Sequence, residues 1–559
     1  MTTNEIMFSV EGMTCDHCAT TLRAALSRLP GVQGAEVSFG DQLATLQIDE
    51  SFVLDTVVET AAAKGYVAKV RTQPDAAQRS THKRPSNAFD LVVIGSGGAA
   101  FGAALRASEL GANVAVVERG TLGGTCVNIG CVPSKTLIRA AEGVHRANHP
   151  RFAGIASEGR VTDFRALMRE KQSLVEELRQ AKYADVLSAA KGVSFVEGHA
   201  RFDRPGVVSV DGAELSAGRF IVATGMRPHV ADIPGLAETG FLTSTDALAL
   251  ETLPRSMVVI GGRFVALELA QAFARLGTQV TVVQRSARVL PTEDDDVTEE
   301  LERLLSGEGI RILTGARTLR AFREGTERVL EVEQGGQRLR IAAEQILVAT
   351  GRRANTDDLG LARVGVQLRE DGTVQVDETL ETSAPGVFAA GDVIGEPAFV
   401  YTAAYEGRLA ADNALGTAKQ PRDYRALPAV VFTDPQLATV GLTEKQALER
   451  GIAVDIAKLP MSYVPRALVA RDTRGFVKLI RARGTDRLLG AVILAPEAGD
   501  LIMEPALAIR HGIPVSELAR TFHPYLTGAE AIKLAAQTFD KDVAKLSSCA
   551  AETWKRKSP

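Results

Sequence analysis

Phe89-Asp90-Leu91-Val92-Val93-Ile94-Gly95-Ser96-Gly97-Gly98-Ala99-Ala100 carries an apolar run into a glycine-rich turn and then into small residues. The apolar run predicts a strand over 89–94, and the small-residue pattern a helix over 98–110. Glycines at 95, 97 and 98 permit a tight turn with close backbone approach, and the helix N-terminus favours a bound pyrophosphate. A second strand, Val114-Ala115-Val116-Val117, ends at Glu118, whose carboxylate suits a ribose hydroxyl. A glycine motif alone is a weak signal. With an acid about twenty residues downstream it becomes a dinucleotide-binding βαβ unit.

Just beyond lies Gly123-Gly124-Thr125-Cys126-Val127-Asn128-Ile129-Gly130-Cys131-Val132-Pro133-Ser134-Lys135, with two of the five cysteines of the 559-residue chain. The spacing puts Cys126 and Cys131 on one helical segment, a little over a turn apart, where a disulfide is sterically accessible. A nucleotide loop leading into paired cysteines reads as a flavin-linked dithiol. One thiolate would face the flavin, and Lys135 would add positive charge beside it. The competing reading is an inert buried pair.

Composition narrows the class. With 45% hydrophobic and 24% charged residues, the chain has the make-up of a globular protein long enough for three or four domains. A formal net charge of −4 gives no support for nucleic-acid binding. No apolar run approaches the roughly 18 residues of a membrane span, and the N-terminus lacks a basic region followed by an apolar core. The few grouped cysteines do not form a secreted disulfide framework, so a reducing cytoplasm is expected.

Residues 1–70 read as βαββαβ, a ferredoxin-like unit: strands at 6–10, 32–39, 42–48 and 66–70, and helices at 19–29 and 52–64. Cys15 and Cys18 are expected on a loop at the start of the first helix, whose N-terminus favours thiolates. Two thiolates at this spacing suit a soft ion such as Cu(I) or Hg(II); a redox pair or half a zinc site are the alternatives. The stretch Gly12-Met13-Thr14-Cys15-Asp16-His17-Cys18 resembles the heavy-metal-associated domain family, which implies an ion collector that passes metal to partner domains or proteins. Residues 71–88 are polar, aperiodic and contain prolines, as a flexible linker does. A merely solubilising appendage is the plainer reading of this module.

The dithiol stretch GGTCVNIGCVPSK resembles the flavoprotein pyridine nucleotide–disulfide oxidoreductase family, which includes glutathione reductases, dihydrolipoamide dehydrogenases and mercuric reductases. The resemblance implies FAD and a nicotinamide dinucleotide, with Cys131 nearest the flavin and Cys126 meeting substrate. It places Ala100, Thr125 and Gly225 at the FAD site, and Asp392, in Gly386-Val387-Phe388-Ala389-Ala390-Gly391-Asp392, on the ribityl chain. A second nucleotide fold begins at Ser256–Ile260 and runs through Gly261-Gly262-Arg263-Phe264-Val265-Ala266 to Glu268, the family position that pairs with Lys135. The next strand ends in Gln284 and Arg285 rather than an acid, which suits the 2′-phosphate of NADPH. Arg263 stands where the family has a small residue, and would either crowd the pyrophosphate or bind it by charge.

The C-terminal region is expected to be an α+β dimerisation domain, giving a homodimer whose active sites are completed across the interface. Its segment Thr521-Phe522-His523-Pro524-Tyr525-Leu526-Thr527-Gly528 keeps the histidine of the thiol–disulfide enzymes but has glycine where their glutamate partner falls. Tyr525, with Tyr183, resembles the mercuric reductase branch instead. That branch implies Hg(II) as substrate, held by Cys126 and Cys131 with Tyr183 and Tyr525 beside it; phenols packing at an interface are the plainer reading. The tail, Leu546-Ser547-Ser548-Cys549, keeps one cysteine where the branch has an adjacent pair. Handover is therefore expected to use Cys549 together with a small outside thiol, or to proceed through the Cys15/Cys18 pair, with mercury transport proteins as upstream partners.

The expected layout is a metal module at 1–70, a linker at 71–88, an FAD fold at 89–235 and 356–424, an NADPH fold at 236–355, a dimerisation domain at 425–545 and a tail at 546–559. The expected function is reduction of Hg(II) to elemental mercury in detoxification. A dihydrolipoamide dehydrogenase-like disulfide reductase and a metal carrier with an impaired reductase body are the alternatives.

Overall fold

The computed structural model describes residues 4–11, 16–38, 43–49, 51–70 and 88–543. Cys15 and Cys549 lie outside the described residues, and of Cys18 only the backbone is described. The chain divides into two compact units, Met1–Pro85 and Ser86–Pro559.

The first unit has the βαββαβ order: β1 (Asn4–Glu11), α1 (Asp16–Leu26), β2 (Val32–Ser38), β3 (Leu43–Ile48), α2 (Leu54–Ala63) and β4 (Val67–Val70). The sheet order is β2-β3-β1-β4, with β1 antiparallel to both neighbours and Phe8 opposite Ala44 and Val70. Strand alternation buries Phe8, Val10, Ala44 and Leu46 on one face, and Leu22, Leu26, Val57 and Ala61 cover them from the helices. One expectation is corrected. Helix α1 begins at Asp16, so Cys18 lies within its first turn rather than on the loop.

In the second unit a mixed sheet is built from β5 (Ala88–Ile94), β6 (Val114–Glu118), β7 (Val193–Glu197), β8 (Ala200–Arg204), β9 (Val207–Val210) and β10 (Ala213–Val222), in the order β7-β6-β5-β10-β9-β8. Strand β5 is flanked by parallel neighbours, which explains its unbroken apolar run: Leu91, Val92, Val93 and Ile94 are all buried. A second parallel sheet follows from β11 (Ser256–Ile260), β12 (Gln279–Val283), β13 (Arg311–Leu313) and β14 (Gln345–Val348), in the order β13-β12-β11-β14. Between β13 and β14 an antiparallel meander at 317–343 has no counterpart in the motif-based reading.

The chain then returns to the first sheet: β15 (Val387–Ala389) pairs in parallel with β10. Finally β16 (Pro428–Val431), β17 (Gln436–Gly441), β18 (Val454–Pro460), β19 (Phe476–Ala482) and β20 (Leu488–Ala495) form a sheet in the order β16-β17-β20-β19-β18. All of β20 is buried. After β20 come two short helices, Ala498–Leu501 and Met503–His511, divided at Ile502.

The first nucleotide loop is held by helix packing. Helix α3 (Gly98–Glu109) lies against a later helix, Val400–Leu415, so closely that a Cβ at Gly407 would sit 1.9 Å from the Ala99 carbonyl oxygen. Only glycine fits there. Gly407→Ala is expected to lower the melting transition by overpacking, at about 1–3 kcal/mol. Gly307→Ala, at a helix end where a Cβ meets nothing within 4 Å, serves as the neutral or slightly stabilising control in the same calorimetric comparison.

Candidate active site

Strand β5 delivers Gly95, Ser96 and Gly97 to the wall of a cavity of about 660 Å³. Gly97 is the N-cap of α3, whose first-turn N–H groups have no partners inside the helix. At the end of β6 the Glu118 carboxylate is held on both oxygens. Ser96 Oγ donates to Oε2 at 2.7 Å and the Gly120 N–H to Oε1 at 2.7 Å, while the Gly123 N–H donates to Ser96 Oγ at 3.1 Å. Each oxygen keeps accepting capacity towards the cavity. Ser96 is an orienting residue that the glycine pattern did not reveal.

Thr125, Gly225 and Asp392 line the same cavity. Burial raises the Asp392 carboxyl above its ordinary range. The Arg352 guanidinium lies 3.9 Å from it, and its buried Nε has no hydrogen-bond partner among the described residues. Ala100 lies deeper, fully buried in α3.

The cysteines also reach this cavity, though not as one helix. Cys126 belongs to α4 (Gly124–Ile129), and Cys131 opens α5 (Cys131–Asn148). The expected single helical segment is broken at Gly130, with φ −128° and ψ −111°. A Cβ there would come 2.9 Å from the Thr125 carbonyl oxygen. Both cysteines are free and half-buried. The Cys126 thiol donates to Cys131, and this hydrogen bond, aided by the Lys135 charge, lowers Cys131 to about 7 against its burial. The same bond, together with burial, pushes Cys126 well up. The pair is therefore unequal, with Cys131 drawn towards its thiolate form and Cys126 towards its thiol form.

Lys135, one turn along α5, meets Glu268 of α6 (Phe264–Leu276): Nζ is 2.7 Å from Oε2. The second oxygen, Oε1, accepts the Phe432 N–H at 2.9 Å, and Lys135 Nζ lies 4.6 Å from the Phe432 ring centroid. Glu268 is thus buried with both oxygens satisfied. Its helix begins at the second nucleotide loop.

That loop borders the cavity, with Phe264 and Val265 directly after it on the wall. Gly261 and the buried Ala266 do not line it, and neither does Arg285, which is exposed and has no ion-pair partner among the described residues. Arg263 is the N-cap of α6, and its guanidinium lies 3.2 Å from Glu396 Oε1.

Tyr183 sits on a π-helical turn, Gln180–Ala184, outside the cavity wall. Its ring packs edge-on against Phe101 with centroids 4.7 Å apart. Burial, and then the charges at Cys126 and Cys131, push its phenol up. Tyr525 is 61% exposed beside the 99% exposed Phe522, and one chain alone does not bring it to the dithiol. His523 differs from the sequence expectation. Although Gly528 replaces the local glutamate, Nε2 is 2.9 Å from Glu504 Oε1, and Nδ1 is 2.9 Å from the Thr521 carbonyl oxygen. Two acceptors favour the imidazolium, so the pKa is raised. Glu504 comes from the helix Met503–His511, a pairing with no sequence spacing to betray it.

Comparison with known proteins gives the same family along the chain. Residues 89–407 match the family described as pyridine nucleotide-disulphide oxidoreductase, residues 427–536 its dimerisation domain and residues 7–66 the heavy-metal-associated domain. The chain is 42% identical to a mercuric reductase of Staphylococcus aureus over 98% of its own length and 100% of that protein's. It is 50% identical to one of Streptomyces lividans, over 83% of this chain and 98% of that one. Among solved structures it resembles the Cu(II) complex of the HOCl-induced flavoprotein disulfide reductase RclA from Escherichia coli, with a TM-score of 0.72 and 31% identity, over 79% of this chain and 98% of that one. The chain belongs to the pyridine nucleotide-disulphide oxidoreductases, in their mercuric reductase family, and carries a heavy-metal-associated domain at its N-terminal end.

Proposed function

We propose that this oxidoreductase converts Hg(II) to elemental mercury with NADPH, holding the metal between Cys126 and Cys131. The observation that carries the reading is the placement of both cysteines on the wall of one cavity shared with Glu118, Lys135 and Asp392. The balance is one Hg(II) and one NADPH giving Hg(0), NADP⁺ and one proton. A soft ion of this kind selects sulfur over oxygen donors.

The residues present fit FAD. Glu118 suits a ribose hydroxyl, Asp392 the ribityl chain, and the orphaned Arg352 Nε a negatively charged group in the cavity. FAD, when bound, supplies a two-electron relay between nicotinamide and metal. The protein's own side chains do the rest. Cys131 offers a thiolate near neutrality, and Cys126 releases its proton when the metal takes the second sulfur. Lys135 holds positive charge beside Cys131, and Glu268 holds Lys135 in place. Arg285 at the end of β12 would take the 2′-phosphate of NADPH.

In this reading Tyr183 flanks the dithiol from its own chain, and Tyr525 reaches it from the partner subunit of a homodimer. Cys15 and Cys18 collect the ion, and Cys549 with a small thiol passes it inward. Among the described residues no helix is long and apolar enough to cross a membrane; cytoplasmic work on metal delivered by transport proteins belongs to the same proposal.

A disulfide reductase is the second reading, and Glu504 is the observation that favours it: with this carboxylate His523 is equipped for proton transfer to and from sulfur. The two readings separate by substrate. NADPH oxidation on adding Hg(II), with mercury vapour released in equal amount, is the expected result; NADPH loss without vapour would sink the mercury reading. Turnover of lipoamide or glutathione disulfide that matches the Hg(II) rate and drops about 10²-fold in Glu504→Gln supports the second reading.

The thiol asymmetry has its own test. Alkylation of the reduced protein by iodoacetamide should show a thiolate titrating at about 7. Cys126→Ala removes the donor to Cys131, so its midpoint should move to higher pH. An unchanged midpoint would mean that the hydrogen bond does not set it.

A further inference from the structure

We propose that Arg263 is a diphosphate-binding residue of the nicotinamide dinucleotide site, held in reserve by Glu396 and transferred from that carboxylate to the dinucleotide on binding. The proposal rests on the reading that the second nucleotide loop receives NADPH.

Position and charge both argue for it. Arg263 is the N-cap residue of α6, with extended backbone at φ −99° and ψ −170°, directly before the free amides of the first turn. Those amides and the helix dipole favour an anion there and disfavour a lone cation. Glu396 supplies the missing negative charge while the guanidinium lies 3.2 Å away. The pair is 51% and 74% exposed, so water screens it and its strength is low. A diphosphate provides two negative groups at the same helix end, and a guanidinium can meet them with several N–H donors at once. The carboxylate is then the weaker of two competing anions.

The segment that releases Arg263 also touches the cavity. Residues Phe264 and Phe399 stack with centroids 6.1 Å apart, and Phe399 stacks on Tyr401 at 5.2 Å. All three line the cavity wall. Glu396 lies just ahead of Phe399, so the ion pair and the ring stack join the same two segments.

The test is calorimetric titration of the oxidised, flavin-loaded protein with NADP⁺ and with NAD⁺, which share the diphosphate and differ in the 2′-phosphate. Arg263→Ser should weaken both ligands about tenfold and flatten the dependence of affinity on salt. Glu396→Gln should tighten both by about three- to fivefold, since it frees the guanidinium. Arg285→Gln should weaken NADP⁺ alone. Tighter or unchanged binding in Arg263→Ser would show that the side chain crowds or ignores the ligand, and would overturn the proposal. So would Glu396→Gln binding like the unsubstituted protein. If the unsubstituted protein bound neither dinucleotide, the parent reading would fall first and this one with it. A preference for NAD⁺ with the Arg263 effect intact would remove only the NADPH assignment.

Discussion

The Glu268 carboxylate is the point on which the active site depends. It is buried, and an unpaired charge in such a place is costly, so its two oxygens need two separate partners. One is the Lys135 ammonium and the other the Phe432 backbone N–H. The three groups come from different parts of the chain: Glu268 from the helix after the second nucleotide loop, Lys135 from the helix opened by Cys131, and Phe432 from just past β16, the first strand of the C-terminal sheet. Removing Lys135 would leave the buried carboxylate without its counter-charge. The two nucleotide folds and the final sheet therefore meet on a single carboxylate.

The same contact also bears on the electrostatics of the thiols. Lys135 draws Cys131 towards its charged form, while Glu268 and burial oppose it; the Cys126 hydrogen bond is the largest influence and decides the outcome. The result is division of labour without a dedicated base. One sulfur is drawn towards its charged form and the other towards its protonated form. Soft metal chemistry needs no more than this. Disulfide chemistry also needs a group to shuttle protons, and the His523–Glu504 pair keeps that option in the fold.

Much of this was legible in the sequence, for identifiable reasons. The run from Phe89 to Glu118 was readable because its glycines, apolar strand and acid lie within one βαβ unit. The βαββαβ order of the first unit was readable from strand alternation and helix stops. What escaped was long-range or confined to one dihedral pair. Glu504 pairs with His523 and Glu396 with Arg263 through tertiary packing, which no local spacing announces. Ser96 was hidden because a serine between glycines looks like loop filler. The break at Gly130 was missed because helical spacing continues through it, whereas the backbone does not. The meander at 317–343 carries no motif, and its strands are partly exposed.

Gly130 has a consequence for the geometry of ligation. A disulfide requires sulfurs about 2.05 Å apart. A metal bridging two thiolates requires them clearly farther apart, because two metal–sulfur bonds of about 2.3 Å each, as in a zinc site, then separate the sulfurs. Two cysteines on one rigid helix would be committed to a single separation. Here each sulfur rides on its own helix, joined by a residue without a side chain. In the proposed function this break would leave the separation of the two sulfurs unfixed by the hydrogen bonds of a single helix, as both a disulfide and a bound ion require.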